Sequence, residues 1–301
     1  MIVLHAAGGL GNQLFNYAAA RSLADRCRTG CLIDAGSCQG SGVSRPFLLN
    51  AFPALRAQVR NAPGQASPPL LSRVGRRIRE DVISKAVHRR YESVGWFPGF
   101  ERLGRSTVLR GHFIDRRFFE WNEARIRADM ALPDDFLSRR QDRIGEAALA
   151  ALQGGEIPVS VHVRRGDFLA PHARWLLLPN VERYYRAAME RMTDLLSARL
   201  RFWVFSDDPP WCRQAFQAFP FQIDYVDRLV DTPDAMREFF LMSRCQHHII
   251  ANSSFSLWAA RLRDKGKVVI APFRWDAEGR TSLDTLIPSD WIRQEWDCSG
   301  G

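Results

Sequence analysis

The sequence predicts an α/β protein built on parallel sheets, and three observations carry that prediction. Residues 157–271 alternate apolar strand-like runs with helical stretches, the pattern of a parallel sheet flanked by helices. The chain opens with a strand, a Gly-rich turn and a helix in immediate succession. Its 301 residues, 46% hydrophobic and 25% charged, suit a folded chain of one domain or of two with roughly 150 residues each.

The opening strand is Ile2-Val3-Leu4, and the turn is Gly8-Gly9-Leu10-Gly11. In the helix that follows, Phe15, Ala18, Ala19, Ser22 and Leu23 fall on one face. Residues 40–75 are rich in Gly, Ser and Pro, and 75–150 read as helices separated by short extended pieces such as Thr107-Val108-Leu109. A helical stretch ends near Leu152, and Gln153-Gly154-Gly155 supplies the natural boundary between domains 1–154 and 155–301. Beyond it, strands are expected at 157–163, 201–206, 222–226, 247–251 and 267–271. Helices are expected at 181–197, 210–218, 233–244 and 255–264. The second half therefore reads as Rossmann-type.

Forty-two Lys and Arg against 33 Asp and Glu leave a net charge of +9, carried almost wholly by arginine. Arginine forks suit anionic partners, but composition alone does not specify nucleic acid. The stretch from Arg73 to Arg117, with Arg76-Arg77, Arg89-Arg90 and Arg116-Arg117, reads first as a solvated surface. Its second reading is peripheral contact with an anionic membrane face or a lipid-linked substrate. The six cysteines (27, 31, 38, 212, 245 and 298) include no C-x-x-C pair and read as free thiols. His247-His248 would point to opposite faces of a strand, against a shared metal. No apolar run approaches the ~20 residues that cross a bilayer, and the start lacks secretory features, so the expected location is cytoplasmic.

Ligands of such sheets bind beyond the carboxyl ends of strands. The strand at 157–163 delivers Arg164-Arg165-Gly166-Asp167, two adjacent guanidiniums whose repulsion calls for a compensating anion or carboxylate, a diphosphate being a natural occupant. Surface salt bridges are the plainer alternative, and Gly166, open to close backbone approach, favours the functional one. After the next strand, Ser206-Asp207-Asp208-Pro209-Pro210 fits a helix cap equally with a carboxylate near a nucleotide or sugar hydroxyl. Asn252-Ser253-Ser254-Phe255-Ser256 leads straight into a helix, a ready phosphate site. Neither a complete G-x-G-x-x-G nor a P-loop occurs, and no Asp-x-Asp is present to hold a metal on a diphosphate.

Together, Gly8-Gly9-Leu10-Gly11-Asn12-Gln13-Leu14-Phe15, His162-Val163-Arg164-Arg165-Gly166-Asp167-Phe168, Phe205-Ser206-Asp207-Asp208 and Ile250-Ala251-Asn252-Ser253-Ser254-Phe255-Ser256 resemble the α-1,2-fucosyltransferases of glycosyltransferase family 11. Phe240-Leu241-Met242-Ser243, Ile270-Ala271-Pro272, Ile287-Pro288 and Trp291-Ile292 extend the match. The resemblance implies a GT-B-like α/β architecture, two Rossmann-like domains facing a central cleft, with GDP-β-L-fucose held mainly by the C-terminal domain and the acceptor by the N-terminal one. The last residues could pack back on the N-terminal domain. It implies inverting transfer of L-fucose to the 2-hydroxyl of a terminal galactose, in a glycan or lipid-linked oligosaccharide, with no cofactor or divalent metal and no nucleic-acid partner.

On that basis Arg164, Arg165 and Asp167 are the expected catalytic residues. Gly9, Gly11, Asn12, His162, Glu238, Asn252, Ser253, Ser254 and Phe255 are expected on the donor, with His162 and Glu238 facing guanine. His172 and Asp208 are candidates for the base or an acceptor contact. The chain departs from the family pattern at Leu257-Trp258-Ala259-Ala260-Arg261, and Glu238 stands where a shorter Asp is common. A fucosyltransferase of α-1,6 or protein O-fucosyl type is the nearest alternative, since His-x-Arg-Arg is shared. A basic nucleic-acid-binding protein would explain the charge but not the strand-end motifs.

Overall fold

The computed structural model describes residues 1–38, 45–60, 89–228, 234–262 and 266–296. Arg73, Arg76-Arg77 and Cys298 lie outside them. The chain divides into two compact units, Met1–Ala131 and Leu132–Gly301.

In the first unit, β1 (Ile2–His5) leads into α1 (Leu10–Arg26), followed by β2 (Cys31–Asp34), β3 (Val59–Arg60), β4 (Arg89–Val94), β5 (Thr107–His112) and α2 (Glu123–Asp129). The strands form one parallel sheet in the order β3-β2-β1-β5-β4. Residues 89–122 thus contribute two strands and short 3-10 turns where helices were expected. A six-residue strand such as Thr107-Val108-Leu109-Arg110-Gly111-His112 carries its signal in only its first three positions.

Helix α1 is buried nearly all round rather than on one face. Its polar side chains therefore need internal partners. The Gln13 amide donates to the Gly8 and Pro46 carbonyls at 2.8 Å each and accepts from Leu48 N at 3.0 Å. Asn16 accepts from Phe113 N at 3.0 Å, and the Tyr17 hydroxyl donates to Asp129 at 2.8 Å. Gly8 has φ of +76°, and a Cβ there would come within 2.9 Å of Asn12 and 3.2 Å of His112, so glycine is required twice over.

In the second unit, α3 (Phe136–Arg139) and α4 (Arg143–Leu152) precede β6 (Ile157–Val163). Then come α5 (Val181–Leu196), β7 (Leu200–Ser206), α6 (Pro209–Ala215), β8 (Ile223–Tyr225), α7 (Ala235–Arg244), β9 (His247–Ile249), α8 (Ser254–Leu262), β10 (Val269–Pro272) and β11 (Ile292–Gln294). The six strands are parallel, in the order β11-β10-β9-β6-β7-β8. This matches the alternation in the sequence closely. Val159, Val161, Val163, Phe202, Val204, Ile249 and Ile270 pack with Tyr184, Tyr185, Met189 and Met192 of α5. Each such fully buried apolar side chain contributes about 1.5–3 kcal/mol. On the adjoining strand His247 and His248 do face apart: His247 accepts from Val268 N at 2.8 Å, while His248 meets Ser160 at 2.7 Å. Cys27, Cys31, Cys38, Cys212 and Cys245 are free thiols. Among the described residues no helix is long and apolar enough to cross a membrane.

The division between units falls at Ala131/Leu132, not at Gly154. Residues 132–152 are strapped onto α7. The buried Arg237 guanidinium makes a fork with Asp142, at 2.6 and 2.9 Å. Arg140 pairs with Asp234, and Arg244 with Asp134 and the Leu132 carbonyl. Phe136 stacks on Phe240 with centroids 5.1 Å apart. The glycines at 154–155 end α4; they do not separate folding units.

Two tyrosines of α5 tie the helix to strand ends, Tyr184 donating to the Ile250 carbonyl at 2.7 Å and Tyr185 to the His162 carbonyl at 2.8 Å. Tyr185→Phe is expected to lower stability by about 1 kcal/mol and Tm by about 2–4 °C, read by thermal unfolding.

Candidate functional site

Strand β6 releases Arg164 and Arg165 at its carboxyl end, and β7, hydrogen-bonded beside it, releases Asp207 and Asp208 at the same level. Asp207 clamps the turn. Its Oδ1 accepts from the backbone N–H groups of Arg165 (2.9 Å) and Gly166 (3.0 Å), and its Oδ2 lies 2.9 Å from Arg164 Nη1. A Cβ on Gly166 would sit 3.1–3.3 Å from Asp207 atoms, so with a side chain there the clamp would have to give by a few tenths of an ångström. The role of Gly166 is to admit a carboxylate.

Arg164 also reaches Asp167, Nη2 to Oδ2, at 2.5 Å. Arg165 contacts Asp208 through Nε at 3.1 Å and lies over the Trp211 ring, 4.8 Å from its centroid. Among the described residues the Arg165 Nη pair has no hydrogen-bond partner. The two guanidiniums are therefore held by three carboxylates, and Arg165 keeps an open edge suited to bidentate contact with an anion.

Asp208 is not poised as a base or acceptor contact. Its Oδ2 faces Arg165, and its Oδ1 caps α6 by accepting from Trp211 N at 3.3 Å. Asp167 is seen in its pairing role, holding Arg164. His172 is exposed in the loop that follows.

His162, the last residue but one of β6, is 7% exposed, and among the described residues its Nδ1 has no hydrogen-bond partner. Burial first, and Arg164 second, keep the imidazole neutral. Its ring lies 5.7 Å from that of Phe255 at the start of α8, and Phe255 in turn meets Phe239 of α7 at 5.4 Å. Glu238, in the first turn of α7, is half-buried, and burial together with Asp234 pushes its carboxyl up to about 7 against the pull of Arg237; Asp207 and Arg164 act on it as well. His162, Arg164, Asp207 and Glu238 thus converge electrostatically at one place.

At the N-terminus of α8, Ser253 Oγ accepts from Phe255 N at 3.3 Å, the capping role, and Ser254 is the first helical residue. Asn252 serves as a structural tie: both hydrogens of its buried amide are used, on the carbonyls of Leu176 (2.7 Å) and Trp275 (2.8 Å). Arg261, where the family pattern is broken, is buried against Trp258 and donates to the Leu286 carbonyl at 3.4 Å. Gly9, Gly11 and Asn12 belong to the first unit, with Gly9 at the N-cap of α1, where a Cβ would meet nothing within 4 Å.

Sequence reasoning passed over Asp207 as a site residue, and Asp142–Arg237 altogether. The first was visible only as one of two adjacent aspartates. The second joins residues 95 positions apart and leaves no local signal.

Fold and site define a Rossmann-type α/β protein with an anion-suited arginine pair at a strand end. Residues 113–297 match the profile of Glycosyl transferase family 11. The Escherichia coli O-antigen biosynthesis glycosyltransferase WbnK is 28% identical over 95% of this chain and 97% of its own length. An Escherichia coli alpha-1,2-colitosyltransferase is 27% identical over 98% and 99%. Human galactoside alpha-(1,2)-fucosyltransferase 1 is 30% identical over 88% of this chain and 66% of its own. Among solved structures, NodZ alpha-1,6-fucosyltransferase co-crystallized with GDP superimposes with a TM-score of 0.50 and 20% identity, over 86% of this chain and 91% of that one. Arabidopsis thaliana FUT1 in complex with GDP gives 0.50 at 12% identity, over 99% and 77%. The chain belongs to glycosyl transferase family 11 and has the GT-B-like α/β fold.

The raised Glu238 carboxyl makes stability depend on pH. From about 4.5, its ordinary value, up to about 7 the native protein holds a proton that the unfolded chain has lost, so stability falls as pH rises through that window. Glu238→Gln is expected to flatten this fall, measured by urea unfolding at about pH 5 and about pH 8. An unchanged difference between the two would count against the burial of this group.

Proposed function

We propose that the protein transfers L-fucose from GDP-β-L-fucose to the 2-hydroxyl of a terminal galactose, with inversion and without a divalent metal. The observation that carries the reading is the Arg164-Arg165 pair, fixed by Asp207 and Asp208 with one guanidinium edge open. The α-1,2 specificity named for the colitosyltransferase and fucosyltransferase relatives supports the linkage. The GDP complexes of NodZ and FUT1 support the nucleotide.

In this reaction the acceptor oxygen attacks C1 of fucose, the bond from C1 to the diphosphate oxygen breaks, and GDP leaves with its electron pair. Arg164 and Arg165 receive the charge that develops on the diphosphate. Ser253, Ser254 and the N-terminus of α8 hold the β-phosphate. His162 and Glu238 face guanine, whose N1–H and exocyclic amine both donate to a carboxylate, a donor pair adenine lacks on that edge. The acceptor proton passes to Asp167 once Arg164 turns to the diphosphate, or to a diphosphate oxygen.

Arg164→Ala is expected to lower turnover by ~10²–10³ in a transfer assay with GDP-fucose and a β-galactoside, and near-normal turnover would remove the assignment. Activity is expected to survive EDTA; loss that Mg²⁺ or Mn²⁺ restores would refute the metal-free reading. The linkage of the product, determined by NMR, decides between the α-1,2 and α-1,6 readings. Asp167→Asn is expected to retain donor binding and lose about 10²–10⁴ in transfer; lost donor binding would assign Asp167 to holding Arg164 alone. If transfer persists in both Asp167→Asn and His172→Ala, neither is the base, and another carboxylate or a diphosphate oxygen of the donor takes the proton.

A further inference from the structure

The loop that leaves β6 carries, beyond Asp167, two apolar side chains that nothing in the site described above uses. Leu169 is 46% exposed and Trp175 is 44% exposed. They stand on the 3-10 turns Asp167–Leu169 and Arg174–Leu176, which pack against each other, so the Trp175 turn lies beside the one whose Asp167 holds Arg164. Single apolar residues at a surface are ordinary. The framing of this one is not. The Trp175 carbonyl accepts from Ala277 N at 2.9 Å, and the next carbonyl, that of Leu176, accepts from Asn252 Nδ2 at 2.7 Å. The second Asn252 hydrogen goes to the Trp275 carbonyl at 2.8 Å. Ala277 follows Asp276, whose buried carboxylate accepts from the N–H groups of Glu278 and Arg280 at 3.0 Å and of Thr281 at 2.8 Å. Phe168 and Leu178, both buried, hold the two ends of the loop. The backbone under Trp175 is thus tied to the segment between β9 and α8 and to the loop after β10, while the indole is left largely to solvent.

We propose that Trp175 is the platform on which the terminal galactose of the acceptor stacks, and that Asn252 is a positioning residue for it. This rests on the reading of the protein as a galactoside fucosyltransferase. An indole face carries negative charge density, and the C–H groups of a pyranose, polarised by their oxygens, are its complement. In a β-galactoside the axial 4-hydroxyl leaves the hydrogens on C3, C4 and C5 together on one face of the ring. The 2-hydroxyl projects from the ring edge, clear of that face, and stays free to react. In a β-glucoside the C4 hydrogen turns to the opposite face and the apolar patch is broken. Tryptophan offers a large rigid surface with only two side-chain torsions to fix. The hydrogen bonds beneath it set the backbone before the sugar arrives, which removes an ordering cost from binding. His172 and Arg174, exposed on the same loop, supply polar groups for the sugar's hydroxyls. Continuity with the Asp167 turn assigns the platform to the acceptor, since guanine is taken by His162 and Glu238.

The test is steady-state transfer to methyl β-galactoside by the full chain, with KM measured separately for the acceptor and for GDP-fucose. Trp175→Ala is expected to raise the acceptor KM about 10- to 100-fold. It is expected to leave kcat, the GDP-fucose KM and the slow hydrolysis of GDP-fucose within about twofold, because stacking serves ground and transition states alike. Trp175→Phe keeps an aromatic face and is expected to retain most of the wild-type acceptor affinity. Without donor, methyl β-galactoside is expected to change the tryptophan fluorescence of the wild type saturably and to leave that of Trp175→Phe unchanged. The preference for methyl β-galactoside over methyl β-glucoside is expected to shrink in Trp175→Ala. An unmoved acceptor KM in Trp175→Ala would overturn the inference, and lost binding to anionic vesicles or lost self-association in that variant would then identify a membrane contact or a contact between copies. Donor and acceptor KM values that rise together with a fall in Tm would also overturn it, making Trp175 a structural residue. If the wild type transfers no fucose to any β-galactoside, the proposed reaction itself fails and the platform falls with it.

Discussion

Two guanidiniums on consecutive residues cannot be placed at a strand end without counter-charge, and most of the site follows from how that requirement is met. Asp207 supplies the answer by binding backbone and side chain at once, taking the N–H groups of Arg165 and Gly166 together with the head of Arg164. Because β7 is the neighbour of β6, its carboxyl end arrives where the clamp is needed. Gly166 leaves the Asp207 carboxylate room, Asp208 turns to Arg165 and caps α6, and Trp211 lies under the second guanidinium. An ion cluster so cross-linked holds both arginines in defined places at the strand end.

The second half of the fold was legible because its longest strands, β6 and β7, are runs rich in β-branched and aromatic residues followed by polar or Gly-containing punctuation. Strands β6 and β7 and helices α5 and α7 appear within two residues of where the pattern places them. The first half was harder for a physical reason. Cys31-Leu32-Ile33-Asp34 and Val59-Arg60 are too short to show a period, and they acquire strand character only by pairing with β1 and with each other. Helix α1 differs in another way: the sequence shows one apolar face, yet the polar Gln13, Asn16 and Tyr17 are also turned inward, each holding a loop or a neighbouring helix.

For the site, the sequence pattern put His162 on β6 and Arg164 and Arg165 just beyond its carboxyl end, where they stand. What the chain order could not reveal was which polar side chains serve the protein itself. Asn252 looks like a phosphate ligand beside two serines, and only the approach of the 176 and 275 loops shows that its amide is consumed. Asp208 was legible as a helix cap, which it is, but its contact with Arg165 joins positions 43 residues apart.

The strap formed by residues 132–152 bears on how this protein can be cut and recombined. A chimera joined at Gly154-Gly155, where the sequence invites a junction, would separate α7 from Phe136, Asp134, Arg140 and Asp142, and Arg237 would lose its counter-ion. A junction before Leu132 carries the strap with the unit it braces. Swapping first units among relatives is then a matter of exchanging residues up to about 131, with the second unit inherited whole.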